Sequence, residues 1–215
     1  MQTKMEVTAR PPSVVIVDYG VGNIGAQLNM LEYLGIDAIA SDDSGAIATA
    51  DRLILPGVGS FDAAVNELRR RDLIAPLEEA VLQRKRPILG VCLGMQLLGH
   101  GSEEGRERGL GWIEAEVRRL AIPAGSGLKV PHIGWSDIRP VRASPLLDAQ
   151  GGVERFYFVH SYHMCCAQCE DLIAVIDYGD EVACIVGRDN IHGVQFHPEK
   201  SHRFGMRLLQ SFCGA

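Results

Sequence analysis

The stretch Pro87-Ile88-Leu89-Gly90-Val91-Cys92-Leu93-Gly94-Met95-Gln96-Leu97-Leu98 constrains the fold more than any other part of the chain. Its apolar run ends on a cysteine set between two glycines and restarts as an amphipathic segment, a pattern that predicts a strand, a sharp turn carrying the thiol, and a helix. Gly90 and Gly94 let the backbone reverse tightly, so Cys92 projects from the carboxyl end of a sheet, as the serine does in a G-x-S-x-G elbow. A helix starting directly after Cys92 would bring its N-terminal dipole near the sulfur and favour an anion there. A buried cysteine is more often just a small apolar side chain, so the elbow acquires chemistry only if a base accompanies it.

The best base lies far along the chain, in Gly193-Val194-Gln195-Phe196-His197-Pro198-Glu199-Lys200-Ser201. The apolar residues before His197 read as a buried strand, with the histidine where that strand leaves the sheet. Glu199 is near enough in sequence to accept a hydrogen bond from the imidazole, fixing its tautomer and stabilising the imidazolium formed when Cys92 loses its proton. A His-Pro-Glu is often only a strand exit. Together with the Cys92 elbow it makes a nucleophile, base and orienting acid: Cys92, His197 and Glu199.

The rest of the chain supplies a suitable frame. Val14 to Tyr19 and Leu53 to Leu55 read as strands, Ile24, Leu28, Leu31 and Leu34 recur near helical spacing, and Leu73, Leu77 and Val81 mark another helix. Strands alternating with helices in the first hundred residues predict a mostly parallel sheet covered on both faces. From Trp112 to Val194 the pattern turns β-rich, in Ile113 to Leu120, Arg155 to Val159, Leu172 to Ile176 and Val182 to Val186, which predicts an antiparallel extension of that sheet. Phe204, Leu208, Leu209 and Phe212 form a terminal helix stripe. Residues 14–215 are expected to fold as one α/β domain behind a loose extension at 1–13, which has no signal-peptide core. The cytoplasm is the expected compartment. The 215 residues carry a formal charge of −6, no electrostatic footprint for nucleic acid, and the basic runs Arg69-Arg70-Arg71 and Arg84-Lys85-Arg86 suit helix ends. No apolar run is long enough to span a bilayer.

Cys165, Cys166 and Cys169 follow His160 and His163 closely, a spacing that could suggest zinc. Structural zinc ligands are usually spread over two paired elements, whereas these crowd one strand end, where alternation sends neighbours to opposite faces. A cysteine-rich strand and turn is the simpler reading, and no metal is expected. Cys184 and Cys213 look like packing residues.

Taken in order, Asp18-Tyr19-Gly20-Val21-Gly22-Asn23, Pro56-Gly57-Val58-Gly59-Ser60-Phe61, the Cys92 elbow, Ser102-Glu103-Glu104-Gly105, Lys129-Val130-Pro131-His132-Ile133-Gly134-Trp135, Phe158-Val159-His160-Ser161-Tyr162 and the His197 segment resemble the class I (triad) glutamine amidotransferases. The resemblance runs from about Val14 to Phe212 and is nearest to the glutaminase subunits of imidazole glycerol phosphate synthase. It implies a flavodoxin-like α/β fold and hydrolysis of L-glutamine to glutamate and ammonia through a thioester on Cys92, without metal or organic cofactor.

By itself Pro56-Gly57-Val58-Gly59 is an ordinary turn; the resemblance makes it an oxyanion loop, with donors in the Val58 and Gly59 region and the Leu93 amide. The same resemblance assigns the amino-acid end of glutamine to Gln96, with Ser161 and Tyr162 contacting its carboxylate and Glu104 facing its ammonium. It also implies a separate (βα)8 barrel subunit that receives ammonia for histidine biosynthesis, with Asn23, Trp135 and Lys200 near the interface. Two segments depart from the commonest histidine-pathway pattern, Ser201-His202-Arg203-Phe204-Gly205-Met206 and Ile24-Gly25-Ala26-Gln27-Leu28-Asn29-Met30-Leu31. Both are similar to paralogues that supply ammonia for amidated sugars in surface polysaccharides. A cysteine peptidase would lack the Gln96, Ser161 and Tyr162 pocket, and a non-enzymatic regulatory subunit would carry a broken triad.

Overall fold

The computed structural model describes residues 13–147 and 152–214, so the extension expected at 1–13 lies almost wholly outside the described residues. The first half of the chain alternates as expected: β1 (Val14–Val17), α1 (Ile24–Tyr33), β2 (Ala38–Ser41), α2 (Ser44–Thr49), β3 (Arg52–Leu55), α3 (Phe61–Arg70), α4 (Ile74–Glu78), β4 (Ile88–Val91) and α5 (Leu93–Gln96). The second half is dominated by strands: β5 (Gly101–Ser102), β6 (Ala115–Arg119), β7 (His132–Pro140), β8 (Glu154–His160), β9 (Tyr162–Cys166), β10 (Leu172–Asp177), β11 (Glu181–Arg188) and β12 (Ile191–Val194), closed by α6 (His202–Cys213).

Among the described residues, nine strands form one sheet in the order β2-β1-β3-β4-β12-β11-β10-β7-β8. The pairings from β2 to β12 are parallel, and those from β12 to β8 are antiparallel. Side chains of β1 alternate between two cores. Val15 and Val17 pack with Leu53, Leu55, Phe61 and Leu68 under α3, whereas Val14 and Ile16 pack with Leu31, Ile54, Leu208 and Phe212 under α1 and α6. Burial on both sides is why β1, β3 and β4 read as continuous apolar runs. Among the described residues, no helix is long and apolar enough to cross a membrane.

Two local expectations are corrected. The strand expected within Ile113–Leu120 does not widen the main sheet: β6 pairs with β5 and β9 in a separate three-stranded sheet. Its Glu116, Arg118 and Arg119 are exposed, whereas Ala115 and Val117 between them are buried, the alternation of a small sheet with one face in solvent. The segment after Cys92, expected as an amphipathic helix, is helical but has no exposed face. α5 has four residues, all buried, and Leu97 and Leu98 beyond it are fully buried too. A segment apolar on every side sinks into the core, and so short a helix sums few peptide dipoles toward the sulfur.

Because β1, β3, β4 and β12 run in one direction, their carboxyl ends open on one edge of the sheet, where open α/β folds bind ligands.

Candidate active site

Cys92 leaves the end of β4 with φ 57° and ψ −110°, a conformation that costs a non-glycine residue about 1–3 kcal/mol and persists only when its surroundings impose it. Here they do. Its backbone N–H donates to Val194 O at 2.8 Å, locking the elbow to β12. A Cβ on Gly90 would lie 2.6 Å from Gly94 O, and one on Gly94 only 1.8 Å from Leu55 O. Only glycines allow β3, β4 and α5 to close this tightly. The thiol donates to Val159 O at 3.9 Å and receives the Gln195 amide at 3.8 Å.

His197 follows β12 and is fixed by its own backbone. Its N–H donates to Tyr157 O at 3.0 Å, and its carbonyl accepts from Ser201 Oγ at 2.6 Å. Ser201 Oγ in turn accepts from Tyr157 N at 3.0 Å, so β8 and the Pro198–Lys200 turn hold the ring from both sides. Glu199 Oε1 lies 2.8 Å from Nδ1, which leaves Nε2 for the hydrogen bond with Cys92. Burial pulls the imidazole pKa down, but hydrogen bonds to Cys92 and Glu199, and the negative charge of both, outweigh it and hold the group at about 9. The Glu199 side chain is wholly buried, and its Oε2 has no hydrogen-bond partner, so His197 is the group that compensates its charge.

The Pro56–Gly59 loop leaves β3 beside the elbow. Gly59 has φ +97°, a region favouring glycine, and a Cβ on Gly57 would meet Gly94 N at 2.7 Å and Leu93 Cβ at 2.8 Å. Tyr19, fully buried after β1, donates its hydroxyl to Pro56 O at 2.5 Å. Burial, and secondarily the charge of Cys92, push the Tyr19 pKa far up, so it remains a donor. Val58, Gly59, Leu93, Gln96, Glu104, Ser161 and Tyr162 line one cavity of about 380 Å³ with Cys92 and His197, a size within the usual range for small-molecule sites. A larger groove of about 850 Å³ runs past Gly105 and Glu116, but neither Cys92 nor His197 borders it.

Hydrogen bonding fixes what Gln96 can offer. Its Nε2 donates to Tyr162 O at 3.0 Å and to Gln195 Oε1 at 3.1 Å, using both amide hydrogens. Only Oε1 remains for the cavity, an acceptor suited to an ammonium or an amide N–H. Glu104 accepts from Phe61 N at 2.9 Å through Oε2, satisfying the first amide of α3, which has no intrahelical acceptor, while it borders the cavity.

Residues 15–214 match the family described as glutamine amidotransferase class-I. The chain belongs to this family. The class I glutamine amidotransferase fold is also that of solved structures under 25% identical. A putative GMP synthase subunit of Thermoplasma acidophilum aligns with TM-score 0.70 at 19% identity, covering 95% of this chain and 94% of that one. PurLQS of Thermotoga maritima aligns with TM-score 0.71 at 19% identity, covering 95% of this chain and 99% of that one. Among curated relatives, imidazole glycerol phosphate synthase subunit HisH 2 of Pseudomonas aeruginosa is 47% identical, with 93% of this chain and 98% of that protein covered. The HisH 2 of Methanococcus maripaludis is 45% identical over the same shares.

Of the three residues expected at an interface of this amidotransferase, Lys200 borders the cavity, with Nζ 6.0 Å from the Tyr157 ring centroid. Trp135 lies outside the cavity, 41% exposed, and stacks on His202 with ring centroids 5.5 Å apart and planes 1° from parallel. Asn23 is exposed at the start of α1, a helix that also lies against the Pro198–Lys200 turn. Gly22 beside it abuts Pro56, where a Cβ would approach to 2.8 Å.

The cysteine-rich segment scatters. Cys165 Sγ lies 3.9 Å from the His163 ring, Cys166 is half-buried with its thiol pushed up to about 12 by burial, and Cys169 is exposed. Among the described residues, no three His, Cys, Asp or Glu side chains are grouped to hold a metal. Cys184 and Cys213 are buried in the core. Sequence reasoning missed Tyr19, Gln195 and a buried pair, His132 and His160, that runs beside the site. Gln195 carried a usable signal: a glutamine inside an apolar run must bond its amide somewhere.

Proposed function

We propose that this protein is the glutaminase subunit of an ammonia-transferring synthase, hydrolysing L-glutamine through Cys92, His197 and Glu199. The observation that carries the reading is the convergence of a strained elbow thiol, a histidine oriented by a buried carboxylate, and an acceptor-only Gln96 on one cavity. Cys92, its proton carried by His197, attacks the side-chain carbonyl of glutamine. The resulting oxyanion is held by amides of the Val58–Gly59 region and Leu93, donors typically worth about a hundred- to thousand-fold each. Since His197 holds its proton to about 9, it is charged at neutral pH and positioned to protonate the departing ammonia. Neutral His197 then takes a proton from water, hydroxide displaces Cys92 from the thioester, and glutamate leaves. Gln96 Oε1 and Glu104 receive the substrate ammonium, with Ser161 and Tyr162 at its carboxylate. The chemistry needs no cofactor.

Ammonia released into neutral water is protonated and loses its nucleophilicity, so a sealed passage to an acceptor follows. The HisH relatives are named as synthase subunits, which supports a (βα)8 barrel partner making imidazole glycerol phosphate, docked over Asn23, Trp135 and Lys200. One observation favours a second reading. His202, in the segment that resembles the surface-glycan paralogues, stacks on Trp135, so the departure from the histidine-pathway pattern falls on the face proposed for docking.

Glutamate release is measured with the chain alone, with the histidine-pathway barrel plus its nucleotide substrate, and with a surface-glycan barrel, using Cys92→Ala as blank. Activity that needs the first partner supports the histidine pathway, and activity only with the second supports the paralogue. Silence in every pairing overturns the glutaminase reading.

A further inference from the structure

One buried polar side chain at the site has no part in that mechanism. Gln195 is 0% exposed, between Val194 and Phe196 on the approach to His197. A buried amide is costly unless its groups are bonded, and here each end has a partner. Its Oε1 accepts from Gln96 Nε2 at 3.1 Å, and its Nε2 donates to Cys92 Sγ at 3.8 Å. The direction is fixed from outside. Tyr162 O can only accept, so the Gln96 group bonded to it is the NH2. That NH2 requires an oxygen from Gln195, and the Gln195 NH2 is left for the sulfur.

We infer that Gln195 is a further catalytic group, donating a hydrogen bond that stabilises the Cys92 thiolate independently of His197. A thiolate accepts such a bond far more strongly than a thiol, so the bond favours the anion wherever it forms. It matters twice in the cycle: before attack, and when the thioester collapses and Cys92 departs as thiolate while His197 has been engaged by water. Because Gln195 does not titrate, its contribution survives every change of charge on the histidine. The titratable groups facing the sulfur are His197 after β12 and Tyr19 after β1, with Glu199 acting through the imidazole. The catalytic role rests on the glutaminase reading, whereas the sulfur's reactivity can be measured without glutamine.

The test is iodoacetamide modification of Cys92 in the full chain across pH, followed by peptide mass so that the other cysteines do not contribute. Gln195→Met is expected to slow modification near neutrality about ten-fold while keeping the plateau at high pH, a profile displaced by about one pH unit. Gln195→Glu, which sets a carboxylate against the sulfur, is expected to slow it further. A folded variant that reacts as wild type overturns the inference. Should both variants misfold, the Gln195 side-chain amide resonances decide it in the unsubstituted protein. They are expected to move as the sulfur ionises and to stay fixed in Cys92→Ser; resonances that do not respond overturn it. Unchanged profiles with active wild type would sink Gln195 alone, and displaced profiles with no glutamate release under any pairing would sink the glutaminase reading alone.

Discussion

Two buried histidine sites lie side by side in this protein and carry opposite charge states. His197, His132 and His160 are 4%, 3% and 5% exposed, so burial penalises the charged form of all three. His197 nevertheless stands at about 9, because hydrogen bonds and charge interactions with Cys92 and Glu199 favour its protonated form. His132 and His160 are pushed down to about 4 and about 3, first by burial, and for His160 also by the neighbouring histidines, His197 among them. Their hydrogen bonds suit neutral rings. His160 Nδ1 must donate to Tyr162 O at 2.9 Å, so its Nε2 accepts from His132 Nδ1 at 3.2 Å, and His132 Nε2 accepts from Ser136 Oγ at 3.1 Å. Depth does not decide the charge of a buried histidine; the polarity of its partners does.

The largest expected effect breaks the first site and spares the second. His197→Asn should cut glutamate release in the activated complex by about a thousand-fold or more. It should also destabilise the fold by about 3–5 kcal/mol, because Glu199 is left buried without a counter-charge. Adding Glu199→Gln should restore most of that stability and none of the activity, as read by urea unfolding alongside glutamate assay. His132→Phe keeps the stack between Tyr178 and Phe158 but removes the hydrogen bonds to His160 Nε2 and Ser136 Oγ, at a cost of about 1–3 kcal/mol. Its glutamate release should stay within about ten-fold of wild type. Equal loss of activity in both variants would erase the distinction.

Solution pH reads the same contrast with opposite signs. A raised folded pKa contributes stability that is complete below the unfolded value of about 6.5 and is lost as pH climbs through about 9, which is the case of His197. Depressed folded values contribute stability present above about 6.5 and lost as pH falls toward about 4 and about 3, the case of His132 and His160. Stability should therefore peak near pH 6.5 and fall on each side, more steeply on the acid side, where two histidines take up protons, than on the alkaline side, where one loses its proton. Urea midpoints at several pH values check it. The double variant His197→Asn/Glu199→Gln should flatten the alkaline limb, and His132→Phe should soften the acid limb.

The same physics decided what the sequence revealed. β1, β3, β4 and β12 are buried on both faces and read directly as apolar runs. β7 inverts the usual pattern: Ile133 and Trp135 face outward at 61% and 41% exposure, while His132 faces inward and bonds to His160 and Ser136. Periodicity reads such a strand backwards, and β7 was not anticipated as a strand. Nor was β2, whose Ile39 is 53% exposed at the sheet edge. In the site, Cys92, His197 and Glu199 were legible from elbow and strand-exit chemistry, whereas Gln96 and Glu104 stood out only through family resemblance. Tyr19 and Gln195 were hidden because each is defined by a distant partner. Gln195 meets a sulfur 103 positions away, and Tyr19 a carbonyl 37 positions away.

The smallest expected effect sharpens the comparison most. Ser136→Ala removes the hydroxyl that closes the neutral chain and leaves the other bonds in place, so it should cost about 1 kcal/mol and leave glutamate release unchanged. With the hydroxyl gone, His132 Nε2 loses its donor, but the Tyr162 carbonyl still dictates the protons on both rings. Nitrogen chemical shifts should therefore report protonated Nδ1 on His132 and His160 in wild type and variant alike. A His132 proton found on Nε2 would mean that the chain is oriented from the Ser136 end. The second site would then be a path along which protons can shift beside the glutamine pocket, instead of a fixed brace for the Tyr162 carbonyl that also holds Gln96.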